Sequence, residues 1–297
     1  MFSFLRYKKY YFIFSGLLIL ASIFFLVYFG LNLGIDFVGG SILRVEYKDK
    51  RPPIEEISAK ISQVGLTQFS FRMVGEKGLM IKTKDIDPET KARLVQIFMS
   101  DPNVDKDKIE FEKVGAVVGK ETKKKAVWAT IFSIIAIVLY ISFAFRQVSR
   151  PVRSFEYGIA TIVALLHDVL ISLGLVALMG KFYLTEFSIP ILTALLTIFG
   201  YSVNDTVVVF DRIRENLLKT GKGFEEVVDI SLNQTLTRSV STSLTTLFVL
   251  IAIFLFGGET LKDFSLVLIA GIASGTYSSI FLASPLLVLW YKRKKKI

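Results

Sequence analysis

One acidic residue lies inside a long apolar stretch of the sequence. Asp205 belongs to the segment GYSVNDTVVVF, residues 200–210. A carboxylate well inside a membrane-spanning segment costs about 2.5 to 3.5 kcal/mol on insertion scales, so such a residue usually faces a partner or a wet cavity and marks an ion pathway. We therefore take Asp205 as the centre of any ion chemistry in this chain.

Arg238 is the charge that can be placed opposite Asp205. The two apolar helices that carry these residues follow one another and should run antiparallel, with Asp205 eighteen residues after Phe187 and Arg238 nineteen before Gly257. At about 1.5 Å per residue, both side chains lie at a similar depth. Further polar candidates on these helices are Tyr201, Asn204 and Thr242.

This pair has two interpretations. It can be a fixed structural ion pair, although buried pairs are unreliable stabilisers because desolvation can exceed the attraction. It can also be a switch, because a nearby guanidinium favours the ionised carboxylate and its withdrawal favours proton uptake. In the second interpretation, Asp205 and Arg238 form a proton or ion relay with two states.

A second polar pair, His167 and Asp168, lies near the middle of another apolar run. One interpretation is a buried histidine bonded to a neighbouring helix, with the carboxylate satisfied by hydroxyl groups. The alternative is a direct role in carrying protons, as intramembrane acidic and histidine residues often have. Both residues are secondary candidates.

Asp36, Gly39 and Gly40 lie beyond the end of the first apolar run. An aspartate followed by two glycines can form a ligand-binding loop, but the combination is more typical of a tight turn. We interpret these residues as a hinge into the domain that follows.

Residue types that support enzymatic chemistry are scarce. The sequence has no cysteine and one histidine, and it lacks a phosphate-binding glycine loop and a nucleophile elbow. The sequence therefore predicts neither an enzyme nor a holder of a metal or organic cofactor. The coupling species expected at Asp205 is a proton or a sodium ion.

Composition identifies the class of protein that positions these residues. Hydrophobic residues make up 52% of the 297 positions, and the mean hydropathy is +0.54, which is typical of a polytopic membrane protein. Residues 224–232 are expected to form a short amphipathic helix at the cytoplasmic surface, and residues 271–275 a small face for close helix packing. Six apolar runs are long enough to cross a bilayer, at residues 10–31, 127–145, 155–179, 187–210, 236–256 and 264–290.

Positive charges on the short loops predict the orientation. The loops after the second and fourth runs and the C-terminal tail are basic, whereas the opposite loops are not, so both termini should be cytoplasmic. The charges involved are Arg146, Arg150, Arg153, Arg212, Arg214, Lys219, Lys222 and residues 292–296. The net charge of +10 does not indicate nucleic-acid binding, because half of the Lys and Arg residues lie in 32–125, where acidic residues almost balance them.

Residues 32–125 form a separate external domain in this scheme. Their pattern predicts a strand at 42–47, a helix after Pro52-Pro53, a hairpin of strands at 68–74 and 79–84, a helix at 88–99 and a strand at 109–118. This order is ferredoxin-like. The predicted fold is a polytopic α-helical membrane protein of six transmembrane helices, with an extracytoplasmic α+β ferredoxin-like domain between helices 1 and 2. Its parts are residues 1–31, 32–125 and 126–297.

Several of these motifs together resemble the SecF family, the smaller subunit of the SecDF protein-export complex. The resemblance covers essentially the whole chain, with GIDFVGG at 34–40, HDV at 167–169, GYSVNDTVVVFDRIREN at 200–216 and QTLTR at 234–238. One departure is Ala116, where the family pattern has proline, and this loosens the argument for a fixed turn before the second helix.

The resemblance implies a multi-pass subunit of the bacterial cytoplasmic (inner) membrane, similar in plan to half of an RND-superfamily transporter. Such a subunit uses the proton motive force to assist a translocating preprotein externally, and the family positions that match Asp205 and Arg238 are tied to ion flux. The implied partners are SecD and the SecYEG translocon, with YajC and YidC as further candidates and membrane lipid as the surroundings. Two alternatives stay open, an RND-type drug or lipid exporter subunit and a proton-independent membrane assembly scaffold.

Overall fold

The computed structural model describes residues 2–66, 69–84, 86–145 and 152–295. Arg146, Arg150 and Lys296, used above for the orientation, lie outside the described residues. The chain divides into two compact units. The larger unit comprises Met1–Leu31, Trp128–Thr185 and Ile189–Ile297, and the smaller unit comprises Asn32–Val127 and Glu186–Ser188.

The elements follow the chain in a regular order, with a 3₁₀ turn (Phe4–Tyr7) before the first helix and a π-helical segment (Ser279–Ala283) between the last two. They are α1 (Lys8–Phe29), α2 (Ile35–Val38), β1 (Gly40–Glu46), α3 (Ile54–Ser62), β2 (Phe69–Val74), β3 (Gly78–Thr83), α4 (Pro88–Met99), β4 (Glu110–Val114), α5 (Ala116–Ala144), α6 (Ser154–Tyr183), α7 (Ile189–Thr220), α8 (Phe224–Phe256), α9 (Glu259–Ser278) and α10 (Ser284–Lys295).

The smaller unit is built on a four-stranded antiparallel sheet in the order β2-β3-β1-β4. Because side chains alternate between the two faces of the sheet, Leu43 and Val45 of β1 point to the same side. They pack in a core that also contains Ile61 of α3 and Leu94 of α4. The predicted ferredoxin-like order of strands and helices is confirmed.

Local signals explain two boundaries of this unit. The Asp87 side chain accepts a hydrogen bond from the Thr90 backbone N–H at 2.9 Å, and Pro88 occupies the first turn, so α4 begins where its cap and proline dictate. The last strand was predicted too long, because β4 ends at Val114 and Ala116 already begins α5.

Among the residues that the structure describes, six helical stretches are long and apolar enough to cross a membrane by length and composition, as predicted. They are Phe4–Phe29, Ala116–Ala144, Ser154–Tyr183, Ile189–Thr220, Phe224–Phe256 and Leu261–Lys294.

The fifth of these stretches begins earlier than the sequence suggested. Residues 224–232 are not a separate surface helix; they form the first turns of α8. Phe224, Val228 and Leu232 are buried in the core of the larger unit, so their apolar face packs on protein rather than on a membrane surface. The fourth stretch likewise continues past the apolar run, to Thr220.

Helix α9 packs against α6, α7 and α8 in the larger unit. Small residues permit this close packing: a Cβ on Gly271 would lie 2.1 Å from Ile198 Cδ1, and a Cβ on Gly275 would lie 3.3 Å from Ser202 Cβ. The predicted small face at 271–275 is confirmed.

Helix α5 is attached to the larger unit by a narrow strip. Ile134, Ile137 and Ile141 pack on the core, whereas Phe132 and Leu139 are among its exposed apolar side chains. The exposed faces of α1 and α8 are similarly apolar in large part.

Candidate functional site

Asp205 is buried in the larger unit, with 8% of its surface exposed. Its Oδ2 accepts a hydrogen bond of 2.6 Å from Ser279 Oγ, at the first residue of the π-helical segment. Ser239 of α8 lies beside the same carboxyl group, but its Oγ has no hydrogen-bond partner among the described residues. The hydrogen bond described for Asp205 therefore comes from the chain that follows α9.

The predicted opposite charge, Arg238, does not pair with Asp205. Arg238 is exposed, and it forms no ion pair within 4.0 Å with any residue that the structure describes. Its neighbour Ser239 is the residue turned toward Asp205. Asp205 and Arg238 lie at a similar level of their two helices, because Ser239, the neighbour of Arg238, is beside Asp205. Consecutive helical residues point about 100° apart, however, so the guanidinium of Arg238 does not point at the carboxyl group.

Arg238 faces a cavity of about 450 Å³ in the larger unit. The same cavity is lined by Asp211, which pairs with Arg214 at 2.6 Å, and by Glu215, which pairs with Arg212 at 2.8 Å. Arg238 of α8 thus shares a charged cleft with the acidic and basic side chains of α7. The other lining residues are Tyr140, Ala144, Phe145, Val207, Val208, Gln234 and Thr235.

Asp168 is the most densely bonded carboxyl group of the described chain. It is fully buried on α6. Its Oδ2 accepts from Ser202 Oγ at 2.6 Å and Ser278 Oγ at 2.7 Å, and its Oδ1 accepts from Ser274 Oγ at 2.7 Å. His167 Nδ1 lies 2.9 Å from the same Oδ1.

The two buried carboxyl groups differ in spare capacity. An ionised carboxylate has about four lone-pair sites, and four polar contacts already fill those of Asp168. Asp205 has one hydrogen bond shorter than 3 Å and a nearby hydroxyl. The geometry therefore matches the satisfied-carboxylate interpretation for Asp168 and leaves Asp205 able to exchange partners.

The imidazole of His167 is also buried, between Asp168 and the ring of Tyr277. The centroids of the two rings lie 6.2 Å apart, and their planes are inclined by 25°. Its Nε2 has no hydrogen-bond partner within the described parts of the chain. Within those ranges, no group of three or more His, Asp or Glu side chains could hold a metal ion.

The other polar candidates near Asp205 are dispersed. The hydroxyl of Tyr201 donates to Ser243 Oγ at 3.1 Å, which links α7 to α8. Thr242 Oγ1 donates to the backbone oxygen of Arg238 at 2.8 Å, and its side chain is exposed. Asn204 is exposed on α7. None of these three bonds to Asp205 among the contacts described.

The predicted hinge lies in the smaller unit. Asp36 belongs to the short helix α2, and Gly39 and Gly40 have φ of +79° and +136°, which glycine adopts without strain. The tight turn is therefore present, and hinge motion at these residues stays a prediction.

The serines that surround the carboxyl groups escaped the sequence analysis. Ser274 and Ser278 are four residues apart and so share one face of α9. Their spacing was a usable signal, but residues 271–275 were interpreted only as a packing face. Ser239 and Ser279 have no comparable spacing signal.

Comparison with known families and proteins adds to this geometry. The family model of the SecD/SecF protein export membrane protein C-terminal region matches residues 95–293, and that of the SecD/SecF GG motif matches residues 24–50. The chain is 42% identical to protein translocase subunit SecF of Thermobaculum terrenum, over 98% of this chain and 94% of that protein. It is 40% identical to the SecF subunit of Anaerolinea thermophila, over 95% and 92%.

Two solved structures of SecDF are also similar to this chain. The crystal structure of SecDF, a translocon-associated membrane protein from Thermus thermophilus, matches with a TM-score of 0.85 and 34% identity, over 98% of this chain and 39% of that chain. SecDF in its super-membrane-facing form matches with a TM-score of 0.70 over 99% and 39%. The chain thus spans about two fifths of the SecDF chains that it resembles.

Proposed function

The chain belongs to the SecD/SecF family of protein-export membrane proteins, and on that premise we propose that it is the SecF-type half of an ion-driven complex that assists preprotein translocation. The observation that carries this proposal is Asp205, a buried carboxyl group in an apolar helix with few partners. Family membership favours protein export over the export of drugs or lipids.

Asp205 and Arg238 work as alternating partners in this proposal. The structure corresponds to the state in which Ser279 bonds the carboxyl group and Arg238 lies in the neighbouring cavity. Turning Arg238 toward Asp205 would favour the ionised carboxylate, and its return to the cavity would favour proton uptake. The cycle needs no cofactor, and the coupling ion is a proton or a sodium ion.

SecD is the proposed partner in the membrane. Asn204, Arg238 and Thr242 expose polar groups on α7 and α8 within stretches that are otherwise suited to lipid. Polar groups at such positions usually face a protein partner or a wet cavity. A second subunit of similar plan would cover this face, as paired repeats do in many transporters.

The remaining assignments follow from the family. The complex would act beside the SecYEG translocon of the bacterial cytoplasmic (inner) membrane, with both termini cytoplasmic and the smaller unit outside, where it would meet the preprotein. YajC and YidC are further proposed partners.

The test uses vesicles that contain the chain, SecD and the translocon, with an imposed ion gradient. We expect Asp205→Asn to abolish the gradient-stimulated part of preprotein export while the complex with SecD still assembles. Glu226→Gln, an exposed acid in the first turn of α8 that does not line the Arg238 cavity, is the control and should keep it. Unchanged export with Asp205→Asn would support a proton-independent scaffold instead. A protonophore and a sodium ionophore, added separately, identify the ion.

A further inference from the structure

The loop between α6 and α7 is bound into the smaller unit by its backbone. Phe187 forms a parallel bridge with Leu33: its N–H donates to Asn32 O at 2.6 Å, and its carbonyl accepts from Gly34 N–H at 2.9 Å. The residue after Ser188 is Ile189, the first of α7. The helix that carries Asp205 therefore starts directly from a segment held in the external sheet domain.

Side chains reinforce this attachment. Lys82 of β3 donates to Glu186 Oε1 at 2.8 Å and to Leu33 O at 3.3 Å, and both charged side chains are about one fifth exposed. The rings of Phe37 and Phe187 lie 5.5 Å apart. The loop is thus tied both to the sheet and to α2.

Gly34 allows the backbone of the loop between α6 and α7 to approach the chain closely just before α2. A Cβ on Gly34 would lie 3.2 Å from Phe187 O and 3.6 Å from Ser188 Cα. These are backbone atoms, so a side chain at residue 34 would push the loop away.

The first turn of α5 is held against α2 in the same way. A Cβ on Gly119 would lie 2.8 Å from Gly39 N and 3.1 Å from Phe37 C, and a Cβ on Gly39 would lie 2.7 Å from Ala116 Cα. Backbone packs directly on backbone here. Such contacts leave little room for one segment to move without the other.

We propose that residues 34–40, 116–119 and 186–188 form a rigid coupling junction, in place of the hinge expected at Asp36, Gly39 and Gly40, and that it passes movements of α5 and α7 to the external sheet. The residues that build it are positioning residues, because none touches Asp205. The chain reaches β1 through this junction after α1, and it leaves through it into α5 and α7. This inference rests on the proposed function and adds to it that the change of partner at Asp205 moves the external domain.

Gly119→Ala tests the junction with little other disturbance. Alanine is a better helix former than glycine, so any loss comes from contact with the Gly39 backbone. We expect gradient-stimulated export to fall at least five-fold while the complex with SecD assembles. Gly115→Ala, where a Cβ would meet nothing within 4 Å, should export normally. Full stimulation with Gly119→Ala would overturn the proposal.

A disulfide separates failure of the junction from failure of the proposed function. The chain has no cysteine, so Leu33→Cys with Phe187→Cys gives a single defined pair at bridged positions, whose spacing suits a disulfide. We expect it to form equally with and without the gradient, and the oxidised complex to export at the rate of the reduced one. Export blocked by oxidation would show that the junction opens and would overturn its rigidity. Unchanged export with Asp205→Asn would refute the proposed function and leave this cross-linking result standing.

Discussion

Replacing Asp168 should destabilise the protein before it affects ion coupling. Three serine hydroxyls from α7 and α9 donate to this carboxylate at 2.6 to 2.7 Å. Hydrogen bonds between membrane helices contribute about 0.6 kcal/mol on average and up to about 1.7. Loss of all three in Asp168→Ala therefore costs about 2 to 5 kcal/mol. Asp168→Asn keeps the size and one acceptor oxygen, so its cost should be about 1 to 2 kcal/mol.

The assay measures unfolding and export on the same preparation. The complex with SecD is purified in bicelles and titrated with a denaturing detergent, and fluorescence of Trp290, which packs on the core of the larger unit, reports unfolding. We expect the unfolding midpoint to fall in the order wild type, Asp168→Asn, Asp168→Ala. Gradient-stimulated export by the folded fraction of Asp168→Asn should stay near the wild-type rate, whereas Asp205→Asn should show the reverse profile.

The opposite result would refute this reasoning. If Asp168→Asn kept the wild-type unfolding midpoint and lost gradient-stimulated export, Asp168 would carry the ion and its four contacts would be secondary. If Asp168→Ala were as stable as the wild type, the serine hydroxyls would be satisfied without it, and its role as a structural centre would be wrong.

Three further predictions concern packing and titration. Gly275→Val should lower the thermal stability of the complex, because even a Cβ at residue 275 would lie 3.4 Å from the Ser202 backbone. Gly200→Ala should not, because a Cβ at residue 200 would meet nothing within 4 Å. A melting curve of each variant tests this difference. Leu94→Ala should destabilise the smaller unit by about 2 to 5 kcal/mol, because Leu94 is fully buried. Met99→Ala, at a position that is 47% exposed, should be nearly neutral. Limited proteolysis of the intact chain compares the two variants, and equal protection would contradict the assignment of the core. Burial raises the pKa of Tyr47 from 10.0 to about 12, so the unfolded chain ionises first and stability falls as the pH rises from about 10 to 12; Tyr47→Phe should remove that loss, measured by proteolysis across the same pH range.

Local patterns allowed much of the fold to be predicted. The helix at 88–99 was placed correctly because an Asp cap, a proline and helical spacing all act within a few residues. Alternation and turn residues predicted the order of the four strands along the chain. Apolar length gave the six membrane stretches, because crossing a bilayer imposes a minimum length on any sequence.

The sequence predicted the level of Asp205 and Arg238 along their helices, but not the direction in which the side chain of Arg238 points. Counting residues placed Asp205 and Arg238 at one level, and Ser239 beside Asp205 agrees with that level. The rotation of α8 about its own axis depends on contacts with α7 and α9, which no short pattern encodes. Serine hydroxyls gave little signal because serine is common in helices, where it often bonds its own backbone.

The start of α8 shows a different limit. Residues 224–232 have the amphipathic pattern of a helix on a membrane surface, but the same pattern suits a helix end buried in protein. Phe224 packs against Tyr291 of α10, with ring centroids 4.9 Å apart. Only the position of α10, more than sixty residues later, decides between the two environments.

The serine bonds also determine which helices can move separately. Ser278 bonds Asp168 on α6, and the next residue, Ser279, bonds Asp205 on α7. Sliding one of these helices by a turn, about 5.4 Å, would break such bonds, so α6, α7 and α9 form one block while they last. Helix α5 packs on that block through apolar side chains such as Ile137 and Ile141, and its last turns, around Tyr140 and Ala144, border the cavity of Arg238. A swing of this helix end would set how much water reaches the guanidinium.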